Sequence, residues 1–200
     1  MERARAMDRD SHRMNSPVRV AVLISGRGSN MQALAAAQGD AYRIAIVASD
    51  RPDAAGLTWA ADHGLSTFAL SPKSVGKPAY EAALDASLRE AGVELIALAG
   101  YMRLLSDDFV DRWRGRIVNI HPSLLPKYKG LDTHARAIAA GDAVAGCSVH
   151  VVTEELDAGR VLGRAEVPIL PGDTPDSLAA RVLAEEHRLY PAVLKEFVSR

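Results

Sequence analysis

The stretch VRVAVLISGRGSN, Val18 to Asn30, decides the fold class of this chain. Val18 to Ile24 is apolar enough to run through the middle of a sheet. It leads straight into Ser25-Gly26-Arg27-Gly28-Ser29-Asn30, after which Met31 to Ala37 has helical composition. A strand, a glycine-rich turn and a helix in that order aim backbone N–H groups and a helix N-terminus at an anion. The glycines do not fall as G-x-G-x-x-G, and the lysine of G-x-x-x-x-G-K-[ST] is missing, so neither nucleotide-binding motif is met. The same residues also suit a plain tight turn with Ser29 or Asn30 as helix N-cap. Because the loop follows the first strand of an α/β pattern, phosphate or carboxylate binding is the favoured reading.

Outward from this stretch the alternation recurs. Tyr42 to Ala48 reads as a strand ending at Ser49-Asp50-Arg51-Pro52, and Ala54 to His63 as a helix stopped by Gly64. Leu65 to Leu70 is a short third strand and 71–78 a loop. Tyr80 to Ala91 is an amphipathic helix with Tyr80, Leu84 and Leu88 four apart. Val93 to Ala99 is a buried strand that meets Gly100-Tyr101-Met102-Arg103-Leu104-Leu105, where Arg103, a lone charge, reads as a snorkelling side chain. Ser106 caps a helix to Trp113, with Asp107 and Asp108 in its first turn. Ile117 to Ile120 is a strand and His134 to Ala140 a helix. Gly146 to Val152 and Val161 to Val167 are strands joined so closely that an antiparallel pair is expected. Thr174 caps a final helix to about Val198, with an interruption expected near Pro191. The expected fold is α/β: a mostly parallel central sheet, helices on both faces, and late antiparallel strands. One domain over 18–200, behind a flexible leader at 1–17, accounts for the whole chain.

With 200 residues, 48% of them hydrophobic, the chain can bury one substantial core. A net charge of -1, with both signs dispersed, offers no nucleic-acid or membrane surface. Cys147 is the only cysteine, which excludes an internal disulfide and a cysteine-based zinc site. No apolar run approaches the roughly 18 residues of a membrane span. Met1 to Pro17 lacks the apolar core of a secretory signal, and Glu2, Asp8 and Asp10 argue against a transit peptide. A cytoplasmic protein is expected.

The chemistry lies in Ile117-Val118-Asn119-Ile120-His121-Pro122. Side chains repeat every two residues on a strand, so Asn119 and His121 point to one side, and Pro122 ends the strand beside them. An amide and an imidazole then share a strand's C-terminal end, where open α/β sheets bind ligands. The alternative is a turn-capping Asn119 and an ordinary surface His121. His12, His63, His134, His150 and His187 show no paired metal spacing and read as structural, so no metal is expected. There is no G-x-S-x-G elbow and no cysteine near His121 to act as a nucleophile. Asp157, in the tight Leu156-Asp157-Ala158-Gly159 turn, is the notable carboxylate. A carboxylate beside an imidazole favours its protonated form, each pKa unit being about 1.4 kcal/mol. An imidazolium and the Asn119 amide can both donate to a developing oxyanion, and one such donor is worth about 100- to 1000-fold in rate. Donors without a protein nucleophile suit acyl transfer between two bound substrates.

Five segments, VLISGRGSN (22–30), LAGYMRLLS (98–106), NIHPSLLPKYKGL (119–131), SVHVVTEELDAG (148–159) and AARVLAEEHRLYP (179–191), carry a resemblance to a known family. In order and over most of the chain, they resemble the glycinamide ribonucleotide formyltransferases of purine biosynthesis. The resemblance implies a Rossmann-like formyltransferase fold and 10-formyltetrahydrofolate as co-substrate. It also implies Asn119, His121 and Asp157 as catalytic trio, Gly28, Ser29 and Asn30 on the ribonucleotide phosphate, and Glu186 at the glycinamide end. Met102, Arg103, Leu104 and Leu105 match the segment lining the folate pocket, largely through backbone groups, with Asn119 at its inner end. Three positions depart from the pattern. Leu183 replaces a lysine or glutamine near the phosphate. Lys77 replaces a frequent arginine on the folate side, keeping the charge but not the fork. Asp132 replaces the usual His or Asn after Gly130-Leu131.

Related families differ in acceptor. Methionyl-tRNA formyltransferases need a basic tRNA surface and a further C-terminal domain, whereas one slightly acidic domain is expected here. Formyltetrahydrofolate deformylases pass the formyl group to water, which has no use for the SGRGSN loop. A nucleotide-binding oxidoreductase or regulatory module would not need Asn119, His121 and Asp157 together. The partners expected are small molecules, with no nucleic acid or membrane, and a monomer or homodimer.

Overall fold

The structure is a computed structural model that describes residues 16–200, so residues 1–15 of the expected leader lie outside the described residues. Its centre is a seven-stranded sheet in the order β3-β2-β1-β4-β5-β6-β7. The strands are β1 (Val18–Ile24), β2 (Tyr42–Ser49), β3 (Thr67–Ala69), β4 (Leu95–Leu98), β5 (Ile117–His121), β6 (Val144–Val151) and β7 (Val161–Pro168). The pairings among β1 to β5 are parallel, and the pairs β5–β6 and β6–β7 are antiparallel. The helices are α1 (Ser29–Ala37), α2 (Ala55–Asp62), α3 (Pro72–Val75), α4 (Lys77–Glu90), α5 (Asp107–Arg112), α6 (Thr133–Ala139) and α7 (Pro175–Val198).

Strand pleating sends alternate β1 residues to opposite faces, and both faces are covered. Val20, Val22 and Ile24 pack with Met31, Leu34, Leu57, Leu178 and Tyr190. Ala21 and Leu23 pack with Tyr80, Leu84, Leu88, Phe109 and Trp113. A strand buried on both faces has to be apolar throughout, which is why VRVAVLI reads as it does. After β1 the chain builds outward through β2 and β3, then returns to lay β4 on the other side of β1. The loops after β1 and β4 therefore part in opposite directions and open a crevice at the carboxyl edge of the sheet.

Three local expectations are corrected. Residues 71–78 are not a plain loop. Ser71 Oγ accepts from Lys73 N at 3.3 Å to start α3, and α4 starts at Lys77. Pro72 and Pro78 stand in the first helical turns, where a missing N–H removes nothing. Helix α7 runs unbroken through Pro191. Tyr190, Val193 and Leu194 are buried around it, and that packing outweighs the one hydrogen bond the ring removes. Helix α1 is capped by neither Ser29 nor Asn30 but by Gly28, at φ 74 and ψ 32, a left-handed conformation that glycine adopts at least cost.

Candidate active site

Strand β5 delivers Asn119 and His121 to one side, and the antiparallel register sets Asn119 opposite His150 and His121 opposite Ser148. Asp157 comes from the turn after β6, at φ 49, and its Oδ2 accepts from Gly130 N at 2.9 Å. His121 Nε2 lies 2.9 Å from the Tyr128 carbonyl oxygen, and Nδ1 lies 3.4 Å from Asp157 Oδ2. A carbonyl and a carboxylate can only accept, so the two contacts are met together when both ring nitrogens carry protons. Each of these two side chains is 7% exposed, which shields their attraction from water. Burial pushes the Asp157 carboxyl up, but the His150 hydrogen bond, the Gly130 amide and the His121 charge together bring it below the usual carboxylate range.

His150, read as structural from the sequence, belongs to this group. Its Nδ1 lies 3.0 Å from the Val151 carbonyl oxygen, its Nε2 3.2 Å from Asn119 Nδ2 and 3.5 Å from Asp157 Oδ1. Nε2 takes one Asn119 amide proton when it carries none itself, or donates to Asp157 Oδ1 when it does, and it cannot do both at once. The second amide proton stays available to another acceptor. The neighbouring hydroxyls are engaged: Ser123 Oγ donates to the Lys127 carbonyl at 2.6 Å and Ser148 Oγ to the Ser123 carbonyl at 2.7 Å. One signal in the sequence pointed to His150, and the pairing register supplies the rest. Alternation in 146–152 puts Ser148 and His150 on one face, and a β5–β6 pairing brings that face beside Asn119.

Across the crevice, Asn30 Nδ2 donates to Glu186 Oε2 at 2.7 Å, joining α1 to α7. Burial raises the Glu186 carboxyl above its ordinary range, and the Asn30 bond only partly offsets this. Asn30 Oδ1 is buried without a partner. The Asn30 amide nitrogen is thus already engaged, and the donors left at this turn are the backbone N–H groups that begin α1, which carry no side-chain cap. Leu183 lies on α7 one turn before Glu186.

After β4, Met102 and Leu104 are 69% and 67% exposed, while Leu105 packs partly buried on the second core. Arg103 is ion-paired, not snorkelling: its Nε donates to Asp50 Oδ2 at 2.9 Å. A cleft of about 690 Å³ opens beside them, lined by Asp50, Arg51, Asp53, Lys73, Met102 and Arg103. Lys77 is not part of that lining, and its Nζ is 3.9 Å from Glu81 Oε1. Asp132 sits at φ 58 before α6, a left-handed position that asparagine and aspartate tolerate better than most residues. Among the described residues, no group of three or more His, Cys, Asp or Glu is arranged to hold a metal ion. None of the described helices is long and apolar enough to cross a membrane.

An imidazole held between acceptors, an amide with a proton to spare and a glycine-capped helix start stand at one edge of a Rossmann-like sheet, an arrangement that suits acyl transfer. The chain belongs to the formyl transferase family, which it matches over residues 18–194. It is 43% identical over 182 residues to the phosphoribosylglycinamide formyltransferase of Escherichia coli (strain K12), covering 89% of this chain and 86% of that one. It is 46% identical over 187 residues to the trifunctional purine biosynthetic protein adenosine-3 of Drosophila melanogaster, covering 90% of this chain but only 14% of that relative's length. The crystal structure of phosphoribosylglycinamide formyltransferase from Brucella melitensis matches with a TM-score of 0.88 at 49% identity, over 92% of this chain and 97% of that one.

Proposed function

We propose that this chain transfers the formyl group of 10-formyltetrahydrofolate to the amine of 5-phosphoribosyl-glycinamide in de novo purine biosynthesis. The products are formylglycinamide ribonucleotide and tetrahydrofolate. The observation that carries the reading is the buried His121 ring, set between the Tyr128 carbonyl and the Asp157 carboxylate on the same strand edge as the Asn119 amide. The names of the relatives point to the same acceptor.

In this reading the acceptor amine adds its lone pair to the formyl carbon, and the carbonyl oxygen gains negative charge. The free Asn119 amide proton donates to that oxygen. The His121 Nε2 proton leaves the neutral Tyr128 carbonyl for it, since a charged acceptor makes the stronger bond. Asp157 holds the ring through Nδ1 while this happens. Collapse breaks the bond from the formyl carbon to N10, and the proton lost by the acceptor's nitrogen ends on N10. Gly28, Ser29 and Asn30 receive the phosphate through backbone N–H groups at the start of α1, and Glu186 meets the glycinamide end. Met102, Arg103, Leu104 and Leu105 line the folate pocket, where exposed Met102 and Leu104 offer apolar cover to a flat ring. Lys77 is the weakest member of this set, because Glu81 already engages its charge. Both substrates are small molecules, and we place the reaction in the cytoplasm, in a monomer or homodimer.

The test is tetrahydrofolate release from 10-formyltetrahydrofolate, with and without glycinamide ribonucleotide, on this protein and on His121→Ala. Release that needs the acceptor and collapses in the variant is expected. Release without acceptor would make the protein a hydrolase, and no release would make it a binding protein.

A further inference from the structure

We infer that Asp50 is a positioning residue that ties the glycine-rich turn after β1 to the Gly100–Ser106 segment after β4, across the crevice. The inference rests on the reading of those two loops given above. The β1–β4 pairing ends at Leu23 opposite Leu98, just short of both loops. Beyond it, side chains continue the connection. Asp50, at the end of β2 and 7% exposed, accepts from Ser25 Oγ at 2.5 Å through Oδ1 and from Arg103 Nε at 2.9 Å through Oδ2. Ser25 Oγ itself accepts from Met102 N at 2.9 Å, and Ser25 N donates to the Gly100 carbonyl at 3.2 Å.

The order of donors in this ring follows from the charge at its centre. A carboxylate only accepts, so the single Ser25 hydroxyl proton has to go to Asp50. The hydroxyl lone pairs are then left for the Met102 amide, which fixes where the segment after β4 begins. Arg103 closes the ring from the other side with a charge-assisted bond, the stronger kind. An asparagine would offer one acceptor oxygen for two donors, and its NH₂ would have to face either Ser25 or Arg103. The loop that would hold the ribonucleotide and the one that would hold the folate thus share one buried carboxylate.

The test compares Asp50→Ala, Asp50→Asn, Ser25→Ala and the Ser25→Ala/Asp50→Ala double variant, each shown by its melting curve to be folded. Two readouts are used: KM and kcat for each substrate, and hydrogen exchange at the Met102 amide. Leaving a buried donor without its partner costs enough for a rise of about tenfold in KM. We expect that rise for both substrates in Asp50→Ala, with kcat changed less than about threefold. Groups on one path do not add, so the double variant should match the worse single one. Asp50→Asn should recover part of the loss, and it keeps the side-chain shape if Asp50→Ala does not fold. Exchange at Met102 should quicken in every variant. A rise in one KM only, additive effects in the double variant, or unchanged Met102 exchange would each overturn the tie. If the unsubstituted protein transfers no formyl group, the functional reading fails, while Met102 exchange still decides the tie.

Discussion

The two halves of the sheet hold their functional groups by opposite means. In the parallel half, the turn after β1 presents backbone N–H groups from a glycine held at φ 74, and its one amide side chain is already bound to Glu186. In the antiparallel half, β5 and β6 present ionisable side chains, and backbone atoms only steady them, as Gly130 N does for Asp157 and the Tyr128 carbonyl for His121. A site made of backbone is damaged by adding an atom. A site made of side chains is damaged by removing one.

The largest effect should come from His121→Ala, with kcat for formyl transfer falling at least about 100-fold, the value of one oxyanion donor. A fall of only a few-fold would sink the side-chain account of this half. Asp157→Asn keeps the shape and removes the charge, and we expect a loss of about 30- to 100-fold at neutral pH. It also carries a pH signature with a definite sign. The folded Asp157 carboxyl lies below its ordinary range, so its stabilising contribution is present above about pH 4 and is lost as pH falls through the folded value. Unfolding curves of Asp157→Asn below about pH 4 should therefore depend less on pH than those of the unsubstituted protein.

Gly28→Ala probes the other half. The new Cβ would lie 2.9 Å from Met31 Cε in a left-handed conformation that costs a side chain about 1 kcal/mol or more. The ribonucleotide KM should rise about tenfold with kcat nearly unchanged, whereas an equal change in the folate KM would contradict the backbone reading. Glu186→Gln separates fold from function within one residue. Burial raises this carboxyl, so whatever stability it gives is present below the ordinary carboxylate pKa and lost as pH rises through the folded value. At neutral pH the neutral variant should melt higher, by about 2–4 °C for each kcal/mol relieved, yet bind the ribonucleotide more weakly. The smallest effect should be Leu183→Lys, which sets a cation one turn from Glu186. A ribonucleotide KM lower by about threefold, and lost in high salt, is expected for an exposed charge of this kind.

These halves also differed in how far the sequence revealed them. VRVAVLI and VELIALA announce buried parallel strands because both their faces must be apolar, and Asn119 and His121 announce themselves because polar residues two apart in such a strand are costly without a use. His150 alternates with Ser148 in the same way, but that alone does not say what it faces. Its role depends on the register that sets it opposite Asn119, and pairing register across 31 residues is not written in local composition. Arg103 misled for the same reason, since its partner Asp50 is 53 residues away, just past the end of β2. Pro191 misled differently: the local rule against proline within a helix is real, but the packing of Tyr190 and Leu194 is stronger.

The bond between Asn30 and Glu186 joins residues 156 positions apart, and α7, which carries Glu186, also packs on β6 and β7. On the ribosome the chain is made from its N-terminus, so the turn at residues 28–30 exists long before the residue that Asn30 binds. The first strands can pair while synthesis continues, but the Asn30 amide stays without this acceptor until residue 186 has emerged and docked. A nascent chain therefore cannot close this contact until nearly all of the family's matched length has been made. Truncation within α7 before Glu186 would give a product that has all its strands and leaves Asn30 without that partner.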